Sequence, residues 1–320
     1  MEVKRIGILT SGGDAPGMNA AIRAVVRSAN CRGIETIGIF DGYLGLIKEN
    51  FKVLKPQDVS GILNRGGTIL YSARFPEFKN EDVRKIAVEN LKKHQIDALV
   101  CIGGDGTYMG AYQLSLMGVP CVGIPATIDN DIVSTEYTIG FDTTLNTIVE
   151  CVDKLKDTTI SHYRCSVIEV MGRYCSDLAI RSGIACGAEH VITSAEDFSE
   201  EKILEVVHNS KKAGKRNCII IVCENTIPVN VIEEILNKDG TYQTRACVLG
   251  HIQRGGSPSA FDRVLASRLA DYAVEIISEG KTGVCVGVKG EELTYMDIIE
   301  ANKLPKKKPT KLIEQFKYFI

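Results

Sequence analysis

No stretch of this chain is apolar over a membrane-spanning length, and the opening residues Met1-Glu2-Val3-Lys4-Arg5 run into a strand pattern without the apolar core of a signal peptide. A cytoplasmic location with no membrane partner is the expectation. Disulfide and metal-ligand signatures are also missing. The 11 cysteines are odd in number, scattered and never spaced Cys-x-x-Cys, and the five histidines show no ligand spacing. Buried free thiols in a reducing compartment are expected, among them Cys101, Cys218 and Cys223, and a structural zinc is not. Charge of one sign is not in excess either. The 38 Lys and Arg face 40 Asp and Glu, a formal net charge of −2, so bulk charge draws neither nucleic acid nor membrane and any anion site must be local. The basic run Lys306-Lys307-Lys308, between Pro305 and Pro309, reads as a solvated connector.

What is present is the composition of a packed protein. Hydrophobic residues at 44% and charged residues at 24% exclude a mainly disordered chain, and 320 residues exceed the size at which a single core stops growing. Short apolar runs alternate with amphipathic helical patterns almost throughout, the form of a mainly parallel sheet covered by helices. Strands are expected at 3–9, 36–40, 98–102, 119–124, 165–170, 191–193, 217–222, 245–249 and 284–288. Convincing helices cover 17–30, 81–94, 143–156, 200–212 and 257–278. Nothing resembling a linker separates domains, and the break near Gly140 follows only from the count of βα units.

Chemistry-bearing residues collect where these strands end. After the first strand comes Thr10-Ser11-Gly12-Gly13-Asp14-Ala15-Pro16-Gly17-Met18-Asn19, then a helix. Exposed backbone N–H groups and a helix N-terminus there suit an anion, although a plain structural turn has the same composition, and neither Walker A nor the dinucleotide fingerprint is present. A second strand ends in Gly103-Gly104-Asp105-Gly106-Thr107, which puts Asp105 where it could meet a metal or cap a helix. A third is followed by Pro125-Ala126-Thr127-Ile128-Asp129-Asn130-Asp131. In an extended segment Asp129 and Asp131 would point the same way, one as a base and the other toward a cation; Asp and Asn equally form turns. Arg74, Arg164, Arg173, Arg245 and Arg254 stand at loops or strand ends, suited to phosphate or to surface ion pairs, and with Glu224 and His251 they suggest a sugar-phosphate pocket.

These motifs resemble those of the bacterial ATP-dependent 6-phosphofructokinases over essentially the full length. The likeness rests on residues 9–19 and 103–107, on Asp41-Gly42-Tyr43, Arg65-Gly66-Gly67-Thr68 and Ser72-Ala73-Arg74-Phe75-Pro76-Glu77-Phe78, and on Thr127-Ile128-Asp129-Asn130-Asp131. Glu169-Val170-Met171-Gly172-Arg173-Tyr174 and Leu249-Gly250-His251-Ile252-Gln253-Arg254-Gly255-Gly256-Ser257-Pro258 complete it. The resemblance implies an α/β fold of two Rossmann-like three-layer α/β/α lobes with mainly parallel sheets and an active site in the cleft between them. Residues 1–140 with 256–303 would bind ATP, and 141–255 with 304–320 fructose 6-phosphate. It further implies transfer of the γ-phosphoryl of Mg-ATP to the 1-hydroxyl of fructose 6-phosphate, giving fructose 1,6-bisphosphate and ADP in glycolysis. Asp129 would be the base, Asp105 would hold Mg²⁺, and Arg74 with Thr127 would stabilise the moving phosphoryl, beside Asp131. Gly13, Tyr43, Phe75, Gly104, Gly106 and Thr107 would border ATP. Met171, Gly172, Arg173, Glu224, His251 and Arg254 would hold the sugar phosphate, joined by Arg164 and Arg245 from a neighbouring subunit of a homotetramer.

The chain departs from the family pattern at several points. Gly106 and Ala126 stand where pyrophosphate-using relatives carry Asp and Lys, yet Ala126 is not the Gly usual in ATP enzymes, and its methyl could crowd phosphates or force a backbone angle. An effector pocket for ADP or phosphoenolpyruvate is implied by Arg23, Arg27, Lys156, Gly187, Glu189 and Lys215. Pro56 and Ala213 replace basic residues there, Lys156 replaces Arg and Gly61 replaces an acid, so weakened effector control is expected. Ser176, in place of Gly, and Arg181 depart as well. A pyrophosphate-dependent phosphofructokinase and a catalytically silent regulatory paralogue are the competing readings.

Overall fold

The computed structural model describes residues 3–305 and 310–316, so the Lys306-Lys307-Lys308 run and the last four residues of the chain lie outside the described residues. In chain order the first elements are β1 (Arg5–Thr10), α1 (Met18–Cys31), β2 (Glu35–Ile39), α2 (Tyr43–Lys48), β3 (Phe51–Leu54), α3 (Glu81–Lys93), β4 (Ala98–Gly103), α4 (Asp105–Leu116) and β5 (Cys121–Pro125). The long α5 (Phe141–His162) leads to β6 (Arg164–Val170), α6 (Asp177–Cys186), β7 (His190–Ile192), α7 (Glu200–Lys212), β8 (Cys218–Cys223), α8 (Val229–Asp239) and β9 (Gln243–Val248). Last come α9 (Ala260–Ser278), β10 (Val284–Lys289), β11 (Glu292–Asp297) and α10 (Ile298–Lys303). Among the described residues no helix is long and apolar enough to cross a membrane.

The chain divides into two compact units, one made of Met1–Ile128, Ile132–Thr143 and Arg254–Lys306, the other of Asp129–Asp131, Thr144–Gln253 and Lys307–Ile320. The first unit carries a seven-stranded sheet ordered β11-β10-β5-β4-β1-β2-β3. Its five inner strands are parallel, while β3 runs antiparallel to β2 and β11 antiparallel to β10. The second unit carries four parallel strands ordered β7-β8-β6-β9. The inner strands are buried on both faces, as the continuous apolar runs require: every residue of β4, β5 and β8 is buried. The cysteines of these strands are buried free thiols.

Differences from the sequence reading have local causes. The edge strands β3 and β11 are absent from it because apolar and polar residues mix in them without a strand's alternation and each is partly exposed, as edges are. β5 starts at Cys121 rather than residue 119, since the Val119 amide still bonds to the Leu114 carbonyl at the end of α4. α5 runs from Phe141 to His162, longer than 143–156 at both ends. α9 begins only after Pro258, where the Ser259 side chain accepts the Asp262 amide.

Asp262, wholly buried, ties α9 to the start of α5 within the first unit. Its carboxylate accepts the Gly140 amide at 2.9 Å, the Thr143 amide at 2.8 Å and the Thr143 hydroxyl at 2.5 Å. Burial nevertheless wins over these donors and pushes its carboxyl from 3.8 up to about 6, with Asp142 adding repulsion. A carboxyl whose pKa is raised on folding contributes most below its unfolded value and loses that contribution as pH rises through the folded one. Relative to Asp262→Asn, which does not titrate, the wild type should therefore lose about 2 kcal/mol between pH 4 and 7. Urea unfolding of both proteins across that range checks this, and a constant difference between them would contradict it.

Candidate active site

In the first unit the strand order reverses between β1 and β4: the chain builds outward to β2 and β3, then returns to lay β4 on the other side of β1. Such a switch point opens a crevice at the carboxyl ends of the two strands. Both Gly-rich turns emerge there and are stitched together. The Ser11 amide donates to the Ile102 carbonyl at 3.1 Å, and the Thr107 hydroxyl donates to the Ser11 carbonyl at 2.9 Å. Gly103 makes this possible, because a β-carbon there would collide with the Ser11 carbonyl and the Thr107 hydroxyl. Gly104 has only Thr127 at 4.0 Å, and nothing lies within 4 Å of a β-carbon at Gly106.

Gly12, Gly13, Asp105 and Gly106 are exposed, Gly104 is half-buried, and Asp105 opens the 12-residue α4. The N-terminal amides of that helix attract anions, and an acid at their edge suits a cation arriving with those anions. Among the described residues no group of three or more His, Cys, Asp or Glu could hold a metal alone. A single exposed carboxylate fits Mg²⁺, which takes one or two carboxylates and fills its shell with phosphate oxygens and water.

Three further residues expected here take distinct positions. Arg74 is exposed, in a segment docked on the first turn by the Ser72 hydroxyl, which donates to the Gly12 carbonyl at 2.6 Å. Phe75 is half-buried beside Phe78, ring centroids 6.3 Å apart. Tyr43 belongs to the core: it is 5% exposed, stacks on Phe78 at 4.3 Å and donates its hydroxyl to the Thr107 carbonyl. It braces the first turn of α4 from beneath. Arg254 also lies in this unit, its guanidinium donating to the Asp14 carbonyl at 3.3 Å and standing 2.5 Å from where a Gly13 β-carbon would be.

The segment after β5 is not extended. Ala126 and Thr127 are zipped to Ile139, through the Thr127 amide on the Ile139 carbonyl at 3.1 Å and the Ile139 amide on the Pro125 carbonyl at 3.0 Å. The chain then turns, and Asn130 adopts φ 52. That left-handed residue breaks the alternation that would have aimed Asp129 and Asp131 the same way; Asp129 is 6% exposed and Asp131 half-buried. Ala126 keeps a negative φ and is 1% exposed, so its methyl forces no unusual backbone angle and is enclosed by the fold.

In the second unit the carboxyl ends of β6 and β8 supply a compact cluster. Glu224 Oε1 accepts the Gly172 amide at 3.1 Å and the Arg173 amide at 2.7 Å, a nest in which Gly172 and Arg173 both have positive φ. The Met171 amide donates to the side chain of Gln253, a wholly buried residue that the sequence reading quoted in a motif but gave no role. Burial, then the nearby Glu224, raises the Glu169 carboxyl above its ordinary value. Burial also lifts the Cys223 thiol to about 12, with Glu224, Cys175, Asp129 and Glu169 adding to it, so these three carboxylates share one electrostatic neighbourhood. Arg173 and His251 are exposed.

Arg164 and Arg245 are not part of this cluster. Arg164 starts the seven-residue β6 whose far end leads to Met171, and it donates to the Gln243 side chain at 2.8 Å; Arg245 donates to the Thr244 carbonyl and faces Glu233 at 3.6 Å. Of the six effector candidates, four meet at the end of α6. Lys156 donates to the Cys186 carbonyl at 3.0 Å beside Gly187, while Lys215 pairs with Glu189 at 3.1 Å. Arg23 and Arg27 lie on α1 in the first unit. Ser176 precedes α6 at φ −87 without a side-chain capping bond, and that angle is one any residue takes, so glycine is not needed there. Nothing in the structure explains Arg181.

The stitched turns generate a paired prediction. Gly103→Ala should destabilise the protein by about 1–3 kcal/mol through overpacking, whereas Gly104→Ala should stay within about 1 kcal/mol of wild type. Urea midpoints for the two variants check the contrast, and equal effects would contradict it.

The sequence model of the family described as Phosphofructokinase matches residues 5–277. A protein of Tolumonas auensis named ATP-dependent 6-phosphofructokinase is 54% identical over 298 residues, covering 93% of each chain. A protein of the same name from Aliivibrio fischeri is 53% identical over 299 residues, again 93% of each. Among solved structures, phosphofructokinase from Saccharomyces cerevisiae superposes on 99% of this chain with a TM-score of 0.89 and 34% identity, this chain spanning 47% of the yeast one. A pyrophosphate-dependent phosphofructokinase from Marinobacter aquaeolei, 22% identical over 97% of this chain and 86% of its own, shares the fold at a TM-score of 0.86. A family match across most of the chain, and relatives more than half identical over nine-tenths of it, establish that this protein belongs to the phosphofructokinase family.

Proposed function

We propose that the chain is an ATP-dependent 6-phosphofructokinase of glycolysis, moving the γ-phosphoryl of Mg-ATP to the 1-hydroxyl of fructose 6-phosphate. The observation that carries this reading is the pair of stitched Gly-rich turns at the β1 and β4 ends, with Asp105 at the start of α4 and open space around Gly106. The unit with the seven-stranded sheet would take ATP, on Gly13, Gly104, Gly106 and Thr107, with Phe75 alongside and Tyr43 acting from below. Asp105 would hold Mg²⁺, which supplies neutralisation of phosphate charge. The unit with the four-stranded sheet would take the sugar phosphate, on Met171, Gly172, Arg173, Glu224 and His251.

Phosphoryl transfer rests on positioning and electrostatics. Asp129 would accept the proton of the 1-hydroxyl as that oxygen bonds to the γ-phosphorus and the bond to ADP breaks. Arg74 and Thr127 would stabilise charge on the moving group, and Asp131 would support the turn. Arg254, braced on the Asp14 carbonyl, would serve phosphate from the nucleotide's unit. Arg164 and Arg245, remote from the Met171 end of β6, would act across a subunit boundary of a homotetramer. Control by ADP or phosphoenolpyruvate would be weak, since Lys156 and Lys215 already serve the Cys186 carbonyl and Glu189, and Pro56, Gly61 and Ala213 add no cation.

A coupled assay with fructose 6-phosphate and either ATP or pyrophosphate tests the reading. Turnover with ATP and not with pyrophosphate is expected; the reverse would make the chain a pyrophosphate enzyme, and turnover with neither a silent paralogue. Asp129→Asn should lower kcat by about two to four decades while the KM for ATP stays within about threefold. Near-normal kcat in that variant would remove Asp129 as the base.

A further inference from the structure

The turn that carries Asp129 is gripped by two buried residues to which the reaction scheme above gives no part. Asn130 is 1% exposed at φ 52, and its Nδ2 donates to Oδ2 of Asp177 at 2.8 Å. Asp177 is 5% exposed and is the first residue of the ten-residue α6, where the helix's N-terminal end favours a negative charge. The Asn130 carbonyl is met from the same segment, by Sγ of the buried Cys175 at 4.0 Å. Cys175 is in turn fixed, its amide donating to the Gly172 carbonyl at 2.7 Å and its carbonyl meeting Sγ of Cys223 at 3.8 Å. Every group named belongs to the second unit.

Two physical facts give this arrangement consequence. Asparagine is among the few residues other than glycine that enter the left-handed region readily, so the backbone at 130 is set by a residue that tolerates it and then anchored through its side chain. Breaking a hydrogen bond between two buried polar side chains also forfeits the bond that offset their desolvation, which resists a shift of the turn. The backbone angles of Asn130 fix where the chain leaves Asp129. A base must sit within hydrogen-bond reach of its proton, and a displacement of about 1 Å can cost about 100-fold in rate.

We propose that Asn130 and Asp177 are positioning residues, a buried clamp that holds the Asp129 turn against the start of α6 in the geometry proton transfer requires. The proposal rests on the reading of Asp129 as the base. It differs from a merely structural role in acting on kcat rather than on substrate affinity, and in being satisfied by any acceptor at 177.

The test compares wild type with Asp177→Ala, Asp177→Asn, Asn130→Gly and the Asn130→Gly/Asp177→Ala double variant. Glycine at 130 keeps the left-handed backbone and removes the side chain that donates to Asp177, so it carries the comparison if Asp177→Ala fails to fold. Asp177→Ala and Asn130→Gly should each lower kcat by about 10- to 100-fold, with both substrate KM values within about threefold of wild type. Asp177→Asn, whose amide oxygen can accept the same bond, should restore kcat to within about threefold, and the double variant should be no worse than the worse single one. Hydrogen–deuterium exchange at 128–132 should quicken in Asp177→Ala and Asn130→Gly and return in Asp177→Asn. Unchanged kcat in both single variants would overturn the clamp, as would an Asp177→Asn protein as impaired as Asp177→Ala. Should wild type transfer no phosphoryl group, the proposed function is what fails. Exchange at 128–132 then decides the clamp alone, supporting it if protection is lost and overturning it if protection is unchanged.

Discussion

Parallel pairing of β1 with β4 is the constraint from which the rest of the first unit follows. Because the chain goes outward from β1 before returning to β4, both strands deliver their loops to one place, and the Thr107 hydroxyl on the Ser11 carbonyl closes the junction. The first turn of α4 is then held from two sides, by Ser11 above and by the Tyr43 hydroxyl below. Its N-terminal amides need an anion more than they need a side chain, which is why glycine at 104 and 106 costs little there. Under the proposed function, Asp105 at the edge of that field would meet a cation arriving with phosphates of its own.

The second unit solves a different electrostatic problem. Glu169 is only partly open to water, and its burial first, then the charge of Glu224, raises its carboxyl above the ordinary value. Two carboxylates of this unit are met by oriented dipoles. Backbone amides at 172 and 173 converge on Glu224, and Asn130 carries a donor to Asp177 at a helix N-terminus. Oriented dipoles are used in both cases in place of a buried cation, leaving exposed Arg173 and His251 for a ligand's phosphate under the proposed function.

Much of this was legible in the sequence because the elements that matter are extreme. β4, β5 and β8 are apolar throughout since both faces are covered. What escaped reading was governed by tertiary context. β3 and β11 are edges whose residues look like loop. Tyr43 is placed beside ATP by resemblance alone, and residue order could not show that its ring stacks on Phe78 and its hydroxyl donates to the Thr107 carbonyl. Asp129-Asn130-Asp131 reads equally as strand or turn until Asp177, 47 residues later, captures the asparagine. The worry raised by Ala126 likewise dissolves only once its backbone angle and burial are known.

The central claim is that the stitched turns of β1 and β4 receive the triphosphate. The most direct measurement is a crystal structure of the protein with Mg²⁺ and a non-hydrolysable ATP analogue. The account predicts phosphate oxygens within hydrogen-bond distance of the amides at residues 12–13 and 104–107, with the metal on Asp105. A nucleotide bound elsewhere, leaving those amides to solvent, would contradict it.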